Sequence, residues 1–131
     1  MYNEKVMEIF KNPKNVGSLR GANAKGRVGN AACGDIMEIY LIIEDEVIKD
    51  ARFKTFGCAA AIVSTSVATE LIKGKTIEEA LAIKNQDILD ILGGLPQNKI
   101  HCSVLAEEAI EAAVADYRKR QEKELKNSEN N

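Results

Sequence analysis

"IMEIYLIIEDEVIKDARFKTFGCAAAIVSTSVATELIKGK", residues 36–75, holds the change of pattern on which the fold turns. Its opening, IMEIYLII, is rich in Ile with one Tyr, and predicts a strand from Ile36 that is buried on much of both faces. Glu44 to Glu46 (EDE) form a polar turn. VIKDARFKTF then alternates. Val47, Ala51 and Phe53 face one way and Asp50, Arg52 and Lys54 the other, the period of a strand with one solvated face. The two strands make an antiparallel hairpin. Gly57 breaks the second strand, and the Ala-rich run after Cys58 predicts a helix to about Lys73, stopped by Gly74.

Working outward from this stretch, helices follow it and loops precede it. Downstream, TIEEALAI starts a helix with Thr76 and Glu79 in capping-box spacing. NQDILDILGG predicts a short helix capped at Asn85 and ended at Gly93. LPQNKIHC connects it to the longest helix, which starts at Ser103. That helix carries an apolar stripe of Val104, Leu105, Ala109, Ile110, Ala113 and Val114. Glu107 and Glu108 stand in its first turns and basic residues in its later ones, as the helix dipole favours. NSENN, 127–131, reads as a frayed tail. Upstream, residues 2–11 place Val6, Met7, Ile9 and Phe10 on one helical face, and NPKN ends that helix. Residues 12–35 hold five glycines and one proline. They predict mostly loop, with a short strand near Arg27 to Gly29. Strands first and helices after give an α+β domain: one unit over 1–131, a small antiparallel sheet covered by helices, with a long C-terminal helix.

Composition narrows the function. The 131 residues are 45% hydrophobic and 29% charged, with a net charge of −2, so no basic field invites nucleic acid. The longest apolar run, Ala59 to Val63, is far too short to span a bilayer. MYNEKVMEIF lacks a basic-then-apolar leader pattern, and the expected location is cytoplasmic. There, three cysteines are free thiols or ligands rather than disulfides.

All three cysteines fall at element edges rather than on apolar faces. Cys33 lies in AACGD, two residues before Asp35. Cys58 lies in FGCAAA, at the start of a helix. Cys102 follows His101, the one histidine of the chain, at the mouth of another helix. Helix N-termini offer unpaired N–H groups and a positive dipole end, which favour thiolate at Cys58 and Cys102. Gly34, Gly57, Ala59 and Ala60 leave room for a bulky ligand. Taken singly, each residue has a plainer reading: Cys33 a loop thiol, Asp35 a turn or cap residue, Cys58 a helix-start core residue, His101 a solvated side chain. Should they converge, Cys33, Asp35, Cys58, His101 and Cys102 make a good set for iron or zinc, three thiolates with one N or O ligand.

Four motifs in order, NPKNVGS (12–18), ACGD (32–35), FGC (56–58) and HCSVLAE (101–107), resemble those of the iron–sulfur cluster scaffold family of IscU and the N-terminal domain of NifU. The spacings agree, 25 residues from Cys33 to Cys58 and 44 from Cys58 to Cys102. The resemblance implies a non-enzymatic scaffold. On it a 2Fe–2S cluster is assembled from iron and from sulfur supplied by a cysteine desulfurase, then passed to apo-proteins. It implies Cys33, Cys58 and Cys102 as cluster ligands, with Asp35 or His101 completing the coordination, zinc as an alternative occupant, and a monomer or weak dimer. The IscU branch carries LPPVK, the segment gripped by its dedicated chaperone. Here the segment is LPQNK (95–99), with Gln97 and Asn98 in place of Pro and Val. The related SufU branch, a zinc-dependent sulfur-transfer protein, has a longer segment between its second and third cysteines and lacks the histidine. A zinc-binding persulfide acceptor of that type is the alternative reading, followed by a structural zinc domain. A thiol hydrolase is disfavoured because no histidine other than His101 exists to act as base.

Overall fold

The computed structural model describes residues 2–30 and 34–129. Its elements run α1 (Glu4–Lys11), β1 (Ala24–Asn30), β2 (Asp35–Glu44), β3 (Val47–Phe56), α2 (Ala59–Ile72), α3 (Ile77–Ala82), α4 (Asn85–Leu92), a 3-10 turn (Gln97–Lys99) and α5 (His101–Glu129). The sheet is antiparallel throughout, in the order β1-β2-β3. The α+β architecture with a long last helix is the one expected.

Burial alternates along β2 from Asp35 to Ile43, so only one face is core. The expectation of a strand buried on both faces fails because helices cover a single side. Ile36 and Ile42 stand half-buried on the other face, beside Glu38 and Tyr40. The hairpin turn places Asp45 and Glu46 at φ 53° and 65°, the left-handed pair that a two-residue connection between twisted strands needs. A register shift follows. Ile42 pairs with Asp50 and Ile43 with Ile48, leaving Lys49 as an extra residue. The extra residue reverses the parity read from the sequence, and Ile48 rather than Val47 enters the core with Ala51 and Phe53.

The strand expected only near Arg27–Gly29 extends over seven residues. Its length comes from α5. A Cβ on Gly26 would collide with the backbone of Ala109 and Ala113, so the missing side chain lets helix and strand touch. Helix α2 is buried on most sides, its Ser64, Thr65, Ser66 and Thr69 included, and is the central element, packed against β3, α5, α1 and α4. In α1 only Val6 is fully buried, while Met7 and Phe10 are partly exposed.

The ends of the short helices follow capping chemistry. Thr76 and Glu79 form the expected capping box. Asn85 is the first residue of α4 rather than its cap. Its N–H donates to Glu107 Oε1 at 2.7 Å, and the Asp87 carboxylate accepts from the Lys84 N–H, so two acids supply what an Asn cap would have given. Helix α5 begins at His101, not Ser103, and continues to Glu129 through most of the stretch expected to fray; residues 130–131 of that stretch lie outside the described residues.

The NPKN segment is a staple. Asn15, at φ 69°, accepts from the Phe53 N–H through its backbone oxygen. Its side chain donates to Thr69 Oγ1 at 3.1 Å and to Glu70 Oε2 at 2.7 Å, and accepts from Lys73 Nζ. Asn is the side chain that tolerates this backbone and supplies both polarities. Asn15→Ala is expected to lower stability by about 1–3 kcal/mol in denaturant unfolding. Asn15→Gly should recover only the backbone part. An Asn15→Ala variant as stable as the native protein would mean that the staple contributes nothing.

Candidate metal centre

Three segments deliver the site. Asp35 opens β2, Cys58 is the residue immediately before α2, and His101 and Cys102 open α5. Two strand ends and two helix starts meet at one end of the sheet. There the side chains of Asp35, Cys58 and Cys102 offer ligand atoms that all lie within 4.8 Å of one another. The two sulfurs are 3.7 Å apart. His101 Nε2 is 3.0 Å from Asp35 Oδ2 and 3.6 Å from Cys102 Sγ. Asp35, Cys58, His101 and Cys102 are thus brought together. Cys33 lies outside the described residues.

Local chemistry explains how a carboxylate sits here only 5% exposed. Asp35 Oδ1 accepts the backbone N–H of Cys58 at 3.3 Å, at the N-terminal end of α2, where the helix dipole favours a negative charge. A Cβ on Gly57 would strike that same oxygen, so the glycine makes the pairing possible.

The two thiols differ in environment. Cys58 is half-buried, whereas Cys102 is fully buried. Desolvation, reinforced by the neighbouring Cys58, pushes the Cys102 thiol up to about 12. This overturns the sequence expectation that a helix start makes Cys102 a ready thiolate. Burial outweighs the helix dipole, and Cys102 holds its proton at neutral pH in the metal-free protein.

Two further residues face the site without having been singled out in the sequence. Lys99 lies against Cys58, and negative charge on that sulfur holds its ammonium above the usual range. The Tyr2 hydroxyl is also raised, chiefly by burial and then by Cys58. Lys99 could have been noticed as the cation two positions before His101. Tyr2 carried no signal, because its approach depends on how α1 packs.

Soft sulfur donors, a buried carboxylate and an imidazole at one edge are suited to iron or zinc and poorly suited to magnesium or calcium. A cavity of about 440 Å³ between α1, α2 and α4 lies elsewhere; its lining includes Ile9, Val67 and Leu71 and none of these donors.

Known proteins point to the same chemistry. The "Iron-sulfur cluster assembly scaffold protein IscU 1" of Archaeoglobus fulgidus is 53% identical over 117 residues, covering 89% of this chain and 76% of that protein. The "Iron-sulfur cluster assembly scaffold protein IscU" of Escherichia coli K12 is 52% identical, covering 92% of this chain and 97% of its own length. The "Nitrogen fixation protein NifU" of Azotobacter chroococcum is also 52% identical, and this chain spans 38% of it. Among solved structures, a NifU-like N-terminal protein from Brucella abortus superposes with a TM-score of 0.75 at 19% identity, over 89% of this chain and 94% of that one, and shares the fold. FiSufU from Fervidobacterium islandicum, a candidate scaffold of the SUF system, gives a TM-score of 0.70 at 26% identity, over 86% and 95% of the two chains. The domain family described as "NifU-like N terminal domain" matches residues 1–124, and the chain belongs to that family.

Proposed function

We propose that this protein is a scaffold on which a 2Fe–2S cluster is assembled from iron and desulfurase-derived sulfur, and from which the cluster passes to apo-proteins. The observation that carries this reading is the meeting of Cys58 and Cys102, 3.7 Å apart, with a buried carboxylate and an imidazole. Cys33 completes the proposed thiolate set. The cluster is cargo, and the role is that of a carrier without a catalytic residue. A storage site would use four thiolates. Carboxylate is a poorer partner for an iron–sulfide centre than thiolate, so a mixed set binds the cluster and still releases it. The donors sit at element ends, where ligand exchange needs only local motion.

The test is anaerobic reconstitution with a cysteine desulfurase, cysteine and ferrous iron. A reddish-brown protein with cluster absorption supports the scaffold. A colourless protein that carries one zinc and accepts persulfide sulfur supports the SufU-type alternative, against which His101 stands.

Zinc should compete for the same donors, with Zn–S near ~2.3 Å and a raised melting temperature. Because Cys102 is protonated when metal-free, zinc uptake must expel its proton. Apparent affinity should therefore rise with pH between about 6 and 8, and titration calorimetry in buffers of different ionisation enthalpy should register proton release. Cys102→Ser should release about one proton fewer. Native and Cys102→Ser proteins releasing equal numbers would remove Cys102 from the ligand set. The same shift sets a stability limit. The unfolded thiol ionises near 9.0 and the folded one near 12, so this contribution is complete below pH 9.0 and is lost as pH rises toward 12.

The segment before the site bears on partners. Gln97 and Asn98 are exposed on the 3-10 turn that leads into α5. A peptide of Leu95–Lys99 is expected to bind an IscU-type chaperone at least about tenfold more weakly than an LPPVK peptide. Two fewer preorganised apolar groups, Pro and Val, remove about that much binding energy. Equal affinities in a fluorescence titration would refute this.

A further inference from the structure

The sheet face turned away from α2 and α5 is organised, and the register fixes how. From the site outward, its rows are Gly29–Ile36–Phe56, then Arg27–Glu38–Lys54, then Lys25–Tyr40–Arg52. The first row borders the metal centre, since Ile36 follows Asp35 and Phe56 stands two residues before Cys58. Phe56 is 72% exposed, the most exposed large apolar side chain among the described residues. The next two rows hold four exposed cations around a single carboxylate. Glu38 is shared by Lys25 at 3.6 Å and Arg27 at 3.7 Å, and it also accepts the Tyr40 hydroxyl. Among the described residues, Arg52 and Lys54 have no ion-pair partner. A chain of net charge −2 therefore concentrates positive charge on one open face, and that face ends in an apolar residue beside the thiols.

We infer that this face is the docking surface for the protein that receives the cluster, and that the recipient presents an acidic surface beside its own acceptor cysteines. The inference rests on the scaffold reading. A positive field on an open face steers a negatively charged partner and orients it, and a buried aromatic anchor holds it after encounter. With Phe56 covered, the acceptor thiols come against the edge where Cys58 and Cys102 meet. Transfer is then a ligand exchange without redox change. Acceptor thiols lose protons as their thiolates bind iron, and scaffold thiolates leave iron and take protons up.

The probe is an acidic plant-type apo-ferredoxin, titrated by fluorescence anisotropy against the metal-free protein. Native affinity should fall at least about tenfold between about 20 and about 300 mM salt, as surface charges become screened. Arg52→Glu/Lys54→Glu should weaken low-salt binding at least about tenfold and flatten the salt dependence. Phe56→Ser should weaken binding at every salt concentration and leave the slope unchanged. In cluster-loaded protein, Arg52→Glu/Lys54→Glu should slow transfer, while cluster decay without acceptor matches the native rate. Salt-independent native binding would overturn the inference even if the double variant failed to fold. So would unchanged affinity in a folded double variant, or equally tight binding of calcium-free parvalbumin, an acidic protein without acceptor cysteines. Binding of the metal-free protein decides the surface and cluster formation decides the scaffold, so the two readings fail separately.

Discussion

Cys58→Ser is expected to fold as well as the native protein and to form no stable cluster. The position makes this an informative substitution. Cys58 is the N-cap residue of α2, with extended backbone and no side-chain cap hydrogen bond. Serine is a better cap than cysteine, so the apo-protein should hold its melting temperature or gain a little. Yet a serine hydroxyl stays protonated at neutral pH and is a hard donor that cannot replace thiolate on iron. Stability and cluster chemistry therefore move apart. Cys102→Ser lacks that clarity. Its side chain is fully buried, and a hydroxyl left without a partner there would cost about 1–3 kcal/mol. Cys33→Ser is expected to lose the cluster as well. The measurement pairs thermal melts of the metal-free protein with cluster absorbance after anaerobic reconstitution. Full cluster yield in a folded Cys58→Ser variant would end the three-thiolate reading.

Much of this site could be read in the sequence because its residues fall where elements change. Asp35, Cys58 and His101–Cys102 sit at a strand start and two helix starts, and periodicity with turn punctuation located those boundaries to within about two residues. What the sequence did not show follows from tertiary packing. The parity of β3 depends on an extra residue at Lys49, which no alternation pattern reveals. The length of β1 depends on Gly26 lying against α5, a contact made across nearly ninety positions of chain. The high proton affinity of Cys102 depends on burial that position in a helix does not disclose, so the dipole argument pointed the wrong way. Tyr2 and Lys99 reach Cys58 only once α1 and the 3-10 turn are placed. The charged rows on the open face needed the strand register, since Arg27, Glu38 and Lys54 are neighbours in space alone.

Asp35→Ala is expected to weaken the fold slightly and to lengthen the life of the assembled cluster. The two effects have different causes. Asp35 is buried, accepts the Cys58 N–H and pairs with His101 Nε2 at 3.0 Å, so its loss removes an acceptor at the start of α2. That should cost the metal-free protein about 1–2 kcal/mol. With a cluster bound, the same carboxylate is a negative charge beside an anionic thiolate–sulfide centre, where water screens little. A repulsion of about 1 kcal/mol, the least such a contact would give, corresponds to about a fivefold change in an equilibrium. Removing it should slow cluster loss in air and transfer to an apo-ferredoxin by about that factor or more, with His101 or water completing the coordination. Asp35→Asn separates the causes. Its amide oxygen can still accept from Cys58 N–H, and the side-chain volume is kept, but the charge is gone. If charge governs release, Asp35→Asn keeps near-native apo stability and shares the long cluster lifetime of Asp35→Ala. If packing governs it, Asp35→Asn behaves like the native protein in both measurements. Faster decay in both variants would make Asp35 a needed ligand and overturn its role in release.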